Sequence, residues 1–464
     1  MPGLVAAAFS LVRPCLSAHG RRYSSSALKT ALQTVIPEKR ALLQQVKFER
    51  ANASLGDDKV ANLLGGMRGL QSILWEGSVL DPNNGIRFHG TSIRQCLKLL
   101  PTASPGGQIL PEAMFWFLLT GKVPTAEQTR QLSADLALQA DLPDYVTRLL
   151  DSLPRSLHPM TQLAIAVAAL NHDSKFSRLY ATGMPKSEYW ESTFDDVITL
   201  IAKLPALAAK IYHNIYNYAT SDSLPHVIDR SADWALNYAN LLGMHNANFV
   251  DFLRLYCSIH ADHEGGNVSA HATHLVGSAL SDSFLSYSAG LQGLAGPLHG
   301  LAAQEVLRFV LQMQKSIPQH PSNDDIAAYL WATLNSGRVI PGYGHAVLRR
   351  PDPRFEVLME YALAKPDIFG DDLFQLVLQI SHVAPEVLIS HGKTANPYPN
   401  VDSLSGVLLY HFGIRETSYY TVVFGVARSM GPLAQLIWDR VLGLPIERPK
   451  SLSLQKIIEL TSIN

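Results

Sequence analysis

The sequence VITLIAKLPALAAKIYHNI, residues 197–215, decides the fold class of this chain. Its apolar residues recur at steps of three and four, which is the spacing of one face of an α-helix. These residues are Val197, Leu200, Ile201, Leu204, Ala208, Ile211 and Ile215. Pro205, inside this pattern, predicts a kink. Residues 373–388 and 419–441 repeat the helical spacing, whereas alternating strand-type runs are few and short, so we predict an all-α fold.

The composition is typical of a soluble globular protein without a strongly charged partner. Of 464 residues, 47% are hydrophobic and 17% are charged, and 38 Lys and Arg against 39 Asp and Glu give a net charge of −1. This balance removes the usual electrostatic basis for binding nucleic acid or an anionic membrane. The three cysteines, Cys15, Cys96 and Cys257, form no CxxC pair, which argues against disulfides and thiolate metal sites and favours a reducing compartment.

The N-terminus differs in composition from the rest of the chain. Residues 1–37 contain four Arg and Lys residues and no acidic residue, and three serines follow the arginines at 24–26. We predict a mitochondrial transit peptide over residues 1–27. The apolar stretch 4–12 could instead belong to a secretory signal, but no small-x-small cleavage site follows it. No uninterrupted apolar run reaches the roughly 18 residues of a membrane span, so we expect a soluble mature protein.

Several common catalytic motifs are missing from the sequence. There is no G-x-x-x-x-G-K-[ST], no G-x-G-x-x-G after a strand and no G-x-S-x-G. Nucleotide hydrolysis, Rossmann-type redox chemistry and serine-hydrolase chemistry therefore have no sequence support. The residues that can perform chemistry concentrate instead in four segments rich in His, Arg and Gly.

The first segment is HADHEGGNVSAH, residues 260–271. Its H-x-x-H spacing suggests a metal, but no HExxH motif is present and two glycines break the helix directly after His263, so we predict no metal site. The glycine pair lets a substrate approach His263, which makes it the best ligand-binding candidate here. His260, His271 and His274 could equally be structural residues that satisfy buried polar groups.

The second segment is GLAGPLHGLAAQE, residues 293–305. Pro297 fits the first position of a helix, which would place His299 in its first turn. The positive end of the helix dipole disfavours an imidazolium there. A neutral His299 could therefore donate a hydrogen bond to a carbonyl, as a neutral histidine does in triosephosphate isomerase. The alternative is a polar residue that caps the helix.

The third and fourth segments carry the remaining candidates. Residues 335–354 combine a Gly-x-Gly-His sequence with Arg349, Arg350 and Arg354, a pattern suited to carboxylate or phosphate, although a solvated basic turn is possible. Residues 391–406 place Asp402 before an apolar helix, where it is either an N-cap or a general base.

Six stretches of the sequence together resemble the citrate synthases of the mitochondrial, eukaryotic type. They occur in the family's order and cover almost the whole chain after the transit segment. The stretches are GGMRG (65–69), HADHEGGNVSAH (260–271), GLAGPLHG (293–300), NSGRVIPGYGHAVLR (335–349), NPYPNVDSLSG (396–406) and ERPKS (447–451).

The resemblance implies an all-α homodimer with a large domain and a smaller mobile domain. The large domain would span residues 28–302 and 406–464, and the small domain residues 303–405. The implied reaction is the condensation of acetyl-CoA with oxaloacetate and water to citrate and CoA, the entry step of the tricarboxylic acid cycle. It would take place in the mitochondrial matrix, without a metal or a cofactor.

The resemblance also implies a role for each site residue. Asp402 corresponds to the catalytic base, His299 to the donor that stabilises the enolate, and His345 to the residue that polarises and protonates the ketone. The residues that correspond to the oxaloacetate ligands are His263, Arg354, Arg428 and, from the neighbouring subunit, Arg448. The residues that correspond to CoA contacts are Arg68, Val339, Gly342, Tyr343, Gly344, Arg349 and Lys393.

Three departures from the family pattern and three alternative functions remain. Ala303 replaces a common Asn, Lys186 stands where a CoA-contacting Arg is expected, and the segment 365–371 is slightly longer than usual.

A 2-methylcitrate synthase would share every motif and accept propionyl-CoA, because one extra methylene changes binding by only about 1–3 kcal/mol. More distant alternatives are a helical binding protein without catalytic activity and a metal-dependent hydrolase.

Overall fold

The computed structural model describes residues 26–56, 59–216 and 227–461. The predicted transit peptide therefore lies outside the described residues, except for its last two positions. Ser26 accepts a hydrogen bond from the Lys29 N–H and caps the first helix, α1. Leu28 and Leu32, in the first two turns of that helix, are fully buried.

The described residues confirm the predicted all-α fold. They form 22 α-helices joined mostly by short turns. The helices are α1 (Ala27–Arg50), α2 (Val60–Leu64), α3 (Ile93–Leu99), α4 (Pro111–Thr120), α5 (Ala126–Gln139), α6 (Asp144–Ser152), α7 (Pro159–Ala169), α8 (Lys175–Ala181), α9 (Tyr189–Tyr216), α10 (Trp234–Leu241), α11 (Ala247–His260), α12 (Val268–Ser278), α13 (Ser283–Leu294), α14 (Ala302–Ser316), α15 (Asn323–Asn335), α16 (Pro353–Leu363), α17 (Pro366–Phe369), α18 (Asp372–His391), α19 (Asp402–His411), α20 (Tyr420–Arg428), α21 (Met430–Leu442) and α22 (Leu454–Thr461).

Besides three short 3₁₀ helices (Leu170–Asp173, Lys186–Glu188 and Thr417–Tyr419), the described residues form a small antiparallel sheet. Its strands are β1 (Ser78–Asp81), β2 (Gly85–Phe88) and β3 (Thr91–Ser92), paired in that order. The carboxylate of Asp81 accepts hydrogen bonds from the backbone N–H groups of Asn83 and Asn84, which closes the turn between β1 and β2. The low strand content agrees with the few strand-type runs in the sequence.

The centre of the fold is built around α9, the helix that contains the 197–215 pattern. It packs against α5, α7, α8, α10 and α21. Pro205 lies inside α9, which continues past it to Tyr216. Every residue of α4 and of α21 is buried. Helices covered on all sides explain why apolar residues do not keep to a single face in these segments.

The structure interrupts one stretch of helical spacing and corrects one predicted helix start. Residues 419–441 do not form one helix, because α20 ends at Arg428 and α21 begins at Met430. The backbone N–H of Gly431 donates instead to the carbonyl of Ala261 at 2.9 Å, so a contact distant in sequence supplies the partner. A Cβ on Gly431 would also lie 2.3 Å from the Asp262 side chain, which shows how closely the two segments meet.

His299 does not lie in the first turn of a helix. It belongs to a turn in which the N–H groups of His299 and Gly300 both donate to the Gly296 carbonyl, and α14 starts only at Ala302. Gly300 passes so close to α13 that a Cβ there would lie 2.2 Å from the Leu294 carbonyl oxygen. This close approach bends the chain before the helix can begin.

Helices α14, α15, α16, α18 and α19 pack against one another in the segment predicted to form the smaller domain. The predicted boundaries, residues 28–302, 303–405 and 406–464, stay a prediction. The segment 365–371 contains the short helix α17. Helix α18 is the only helix among the described residues that is long and apolar enough to cross a membrane, and half of that apolar stretch is buried in the protein.

The close approach of α14 and α19 at Gly406 allows a stability test. A Cβ on Gly406 would lie 2.6 Å from the carbonyl oxygen of Ala303, so we expect Gly406→Ala to push the helices apart and to lower the free energy of unfolding by about 1–3 kcal/mol. Urea denaturation followed by circular dichroism measures this. Gly370→Ala, at an exposed helix end with a less crowded Cβ, is the control. Equal midpoints for the two variants would contradict the expected clash.

Candidate active site

His299 is oriented by the first turn of α12. The backbone N–H of Ser269 donates to His299 Nε2 at 3.3 Å, and Ser269 Oγ lies 2.9 Å from the same nitrogen. A backbone N–H can only donate, so Nε2 is the acceptor. These hydrogen bonds assign the ring proton of a neutral His299 to Nδ1, which makes Nδ1–H its donor.

His345 is oriented in the same manner with the two ring nitrogens exchanged. The backbone N–H groups of Val347 and Leu348 donate to His345 Nδ1 at 3.0 and 2.9 Å. The ring proton of a neutral His345 is therefore assigned to Nε2. The turn that permits this contact follows Gly344, which has a φ of +91°, a conformation that other residues rarely adopt.

Asp402 is the first residue of α19, and its carboxylate makes no capping hydrogen bond. The N-cap is Val401, so the N-cap interpretation of Asp402 is wrong. Its backbone N–H donates to the Asn400 side chain at 3.0 Å, which fixes the start of the helix without the Asp402 carboxylate. Burial raises the pKa of Asp402 to about 6, although the charges of Arg354 and Arg428 oppose this shift.

Two almost fully buried arginines interact electrostatically with these three residues: Arg428 with His299, Arg354 with His345, and both with Asp402. The guanidinium of Arg354 is paired with Asp352, with an Nη2–Oδ2 distance of 2.7 Å. Burial raises the pKa of Asp352, but the charge and hydrogen bonds of Arg354 lower it by more, so this carboxylate stays ionised. Arg428 donates through Nε to the His260 carbonyl at 2.9 Å and lies over the Phe424 ring at 4.7 Å.

Burial, together with the positive charges of the two arginines, keeps the site histidines neutral. Burial, followed by the charge of Arg428, lowers the pKa of His299 to about 4. Burial and the charge of Arg354 lower the pKa of His345 to about 4. Burial lowers the pKa of Arg428 itself to about 10, and the nearby charge of Arg354 adds to the shift. Neutral His299 was predicted from a helix dipole, but burial and Arg428 are the causes.

His263 lies beside His345, with 5.9 Å between the ring centroids. Its Nε2 is buried and has no hydrogen-bond partner, so this atom is available to a ligand. Burial and the charges of Arg354 and Arg428 hold the pKa of His263 well below its ordinary value. His260 is structural, because its Nδ1 contacts the Tyr256 carbonyl at 2.9 Å and its ring stacks on Tyr256.

The structure therefore brings six sequence-predicted site residues into one electrostatically connected cluster. They are Asp402, His299, His345, His263, Arg354 and Arg428. One carboxylate, two neutral imidazole donors and two guanidinium groups suit the deprotonation of a carbon acid next to a polarised carbonyl, with anionic groups held nearby. Among the described residues, no group of three or more His, Cys, Asp or Glu side chains could hold a metal ion.

The predicted CoA contacts divide into two groups. Segment 339–344 lies against the segment before α19, because Asn400 donates through its backbone N–H to the Gly342 carbonyl and through its side chain to the Gly344 carbonyl. The side chain of Thr394 lies 3.8 Å from the Cβ position of Gly344, which brings the neighbouring Lys393 to the same region. Of the predicted contacts here, Val339, Arg349 and Lys393 are exposed, whereas Gly342 is buried and Tyr343 half-buried.

Arg68 and Arg448 are not part of this cluster. Arg68 is exposed and follows α2. Arg448 is exposed in the C-terminal segment, whereas Arg354 and Arg428 are buried.

Three contributors escaped the sequence analysis. Asp352 is the buried partner of Arg354, and the sequence Pro-Asp-Pro-Arg, with Asp as N-cap and Pro as first helical residue, could have identified it. Ser269 orients His299 and follows the Asn267 cap of α12. Phe424 contacts Arg428 and lies edge-on to His299 at 6.3 Å, and the sequence holds no signal for it.

These features define an all-α enzyme whose site suits a carbon–carbon condensation, and sequence comparison identifies its family. Residues 66–450 match the family profile described as citrate synthase, C-terminal domain. The chain belongs to the citrate synthase family. It is therefore an enzyme of the transferase type that performs a condensation, as the sequence predicted.

Individual relatives differ in the activity that they are named for. The chain is 60% identical over 459 residues to the mitochondrial 2-methylcitrate synthase of Gibberella moniliformis, covering 98% of this chain and 95% of the relative. It is 52% identical to the mitochondrial citrate synthase of Saccharomyces cerevisiae, covering 95% and 92%. A structure of Thermoplasma acidophilum citrate synthase with carboxymethyl coenzyme A and oxaloacetate has a TM-score of 0.70 at 21% identity, covering 86% and 97%.

These comparisons overturn the predicted conversion of acetyl-CoA to citrate. Five relatives at 57–60% identity over nearly the full chain are named 2-methylcitrate synthase. The prediction failed because the two activities share every motif and differ by one methylene in the thioester, a difference that a few pocket side chains can accommodate. The names of the relatives, which include the word mitochondrial, confirm the predicted mitochondrial location.

Asp402 offers a direct test of the site. We expect Asp402→Asn to lower kcat by a factor of about 100 or more, because a general base contributes roughly 10²- to 10⁴-fold. Oxaloacetate affinity should stay within a few-fold, since the amide keeps the shape of the side chain. Turnover and calorimetric binding measure the two quantities, with exposed Asp324→Asn as the control. Unchanged turnover in Asp402→Asn would remove this residue from the chemistry.

Proposed function

We propose that the protein is a 2-methylcitrate synthase. The reaction joins propionyl-CoA, oxaloacetate and water to give 2-methylcitrate and CoA. The observation that carries this proposal is the 57–60% identity to relatives named for this activity, against 52% to the yeast relative named citrate synthase. The site residues support the type of chemistry, and the relatives support the choice of thioester.

The first step is removal of a proton from C2 of the propionyl thioester. Asp402 accepts this proton, and the Nδ1–H of His299 donates a hydrogen bond to the thioester oxygen as it becomes an enolate. The contact between Ser269 N–H and His299 Nε2 supports this role, because it leaves Nδ1 as the donor atom. A pKa of about 6 leaves Asp402 ionised at neutral pH.

The second step forms the carbon–carbon bond. The enolate carbon attacks the ketone carbon of oxaloacetate, and the ketone oxygen takes a proton from Nε2 of His345. Arg354, Arg428 and His263 bind the two carboxylates of oxaloacetate. Arg354 is ion-paired with Asp352, whereas Arg428 forms no ion pair among the described residues and is available to a carboxylate of the substrate. Water then cleaves the thioester of the condensation product and releases CoA, without a metal or a cofactor.

The CoA moiety binds at the surface between segment 339–344 and Lys393. Exposed Arg349 and Lys393 provide the cations for its phosphates, with Arg68 as a further cation. The backbone of Val339, Gly342, Tyr343 and Gly344 surrounds the adenine.

The active unit is a homodimer in which Arg448 reaches the site of the other subunit. The exposure of Arg448 supports this arrangement, because the buried cluster of its own chain does not include it. In a closed twofold dimer, each subunit would place its Arg448 in the site of the other subunit.

Thioester preference tests the proposed function. We expect kcat/KM with propionyl-CoA to exceed that with acetyl-CoA, by up to the roughly 10- to 200-fold that one methylene can produce. Oxaloacetate-dependent thiol release from a panel of short acyl-CoAs measures this preference, and reactions without oxaloacetate correct for hydrolysis. A preference for acetyl-CoA would refute the proposed substrate and keep the family mechanism.

Mixed dimers test the shared site. Arg448→Ala and His299→Ala chains should each be nearly inactive, yet their mixture should recover up to about a quarter of wild-type activity, because one of the two sites in each hybrid dimer is intact. The control mixture, His299→Ala with Asp402→Asn, combines two residues from the same chain and should stay inactive. No recovery despite subunit exchange verified by native mass spectrometry would contradict the shared site.

A further inference from the structure

One face of α12 holds Glu447, the residue before Arg448. Nε2 of His274 lies 2.6 Å from Glu447 Oε1, an electrostatic contact rather than an aligned hydrogen bond. Nε2 of His271 lies 3.4 Å from Glu447 Oε2. The Glu447 backbone N–H donates to Ser278 Oγ at 3.0 Å. Positions 271, 274 and 278 share a helix face, so α12 fixes both the side chain and the backbone of Glu447.

His274 is held from its other side by a buried carboxylate. Its Nδ1 lies 2.7 Å from Oδ2 of Asp439, a residue of α21 whose other oxygen accepts a hydrogen bond from Gln435. The side chains of His274 and Asp439 are only 7% and 3% exposed. Each ring nitrogen therefore faces a carboxylate oxygen, an arrangement that suits an imidazolium with two N–H groups.

The contacts of Glu447 with His274 and Ser278, and of His274 with Asp439, are called the clamp below. The clamp fixes the position of the backbone directly before Arg448. Arg448 follows Glu447 directly and precedes Pro449, which restricts the Arg448 backbone to extended conformations. Because α12 holds Glu447 and the ring of Pro449 is rigid, the Arg448 side chain can extend in only a few directions. Without the clamp, an exposed arginine would lose much side-chain and backbone entropy on binding a substrate.

We propose that His274 is a positioning residue for Arg448, tying Glu447 to α12 and α21 so that Arg448 is presented in the orientation that binds oxaloacetate. This inference rests on the proposed function, in which Arg448 completes the oxaloacetate site of the second subunit. His274 itself touches no substrate. It belongs to the same helix whose first turn orients His299 through Ser269, so α12 supports a residue of each of the two sites.

The clamp should depend on pH. The charged or titratable groups that face His274 are Asp439 and Arg440 from α21, Glu447 from the C-terminal segment and His271 from α12 itself. Burial lowers the pKa of His274, but Asp439 and Glu447 raise it by more, so it lies above the ordinary value. The clamp is therefore complete at low pH and is lost as the pH rises through the raised pKa.

The experiment measures the oxaloacetate Kd of four full-length proteins by calorimetry. They are the wild type, His274→Gln, Arg448→Ala and the double variant. We expect His274→Gln to weaken oxaloacetate binding about tenfold, with kcat at saturating oxaloacetate within about twofold, because a binding contact alone is affected. In an Arg448→Ala background, His274→Gln should cause no further weakening, since it acts through that arginine. The difference in oxaloacetate Kd between the wild type and His274→Gln should shrink as the pH rises through the His274 pKa.

Each remaining outcome counts against the proposal. An unchanged Kd in His274→Gln, further weakening in the Arg448→Ala background, or an advantage independent of pH would overturn it. If His274→Gln does not fold, Glu447→Gln, at a partly exposed position, gives the same comparison. His245→Gln, at an exposed histidine bonded to Asn240, is the matched control. A wild-type preference for acetyl-CoA would refute the proposed substrate, but the oxaloacetate measurements would still decide the role of His274.

Discussion

The site depends on backbone N–H groups that point at imidazole nitrogens. Ser269 supplies one to Nε2 of His299, and Val347 and Leu348 supply two to Nδ1 of His345. Since a peptide N–H cannot accept a hydrogen bond, each ring can be neutral in only one tautomer and can donate through only one atom. The helix α12 and the turn after Gly344 thus determine the direction in which each ring can donate a hydrogen bond.

The buried charges make this arrangement chemically useful. Burial and the charge of Arg354 lower the pKa of Arg428, and the carboxylate of Asp352 pairs with Arg354. A buried guanidinium without an ion pair, as at Arg428 among the described residues, is unfavourable unless an anion binds to it. The site therefore suits an anionic ligand, and burial together with the charges of these arginines keeps His299 and His345 neutral.

The sequence predicted the features that local spacing determines, and the errors concern contacts between distant segments. The pattern at 197–215 predicts α9 because steps of three and four require only neighbouring residues. The break after Arg428 needs the Ala261 carbonyl, and the delayed start of α14 needs the close approach of Gly300 to Leu294, neither of which is visible in local spacing. Local patterns indicated His263, His299, Arg354 and Asp402 as candidates, and the resemblance supplied their roles and added Arg428 and the role of His345. The thioester preference depends on pocket shape, which no motif records.

The protonation states of His299 and His345 test the central claim most directly. Nitrogen-15 NMR of histidine-labelled protein, with signals assigned through His299→Gln and His345→Gln, reports both charge and tautomer. We predict neutral rings down to about pH 5, with the proton on Nδ1 of His299 and on Nε2 of His345. Protonation of either ring near its ordinary pKa of 6.5, or the opposite tautomer, would contradict the account.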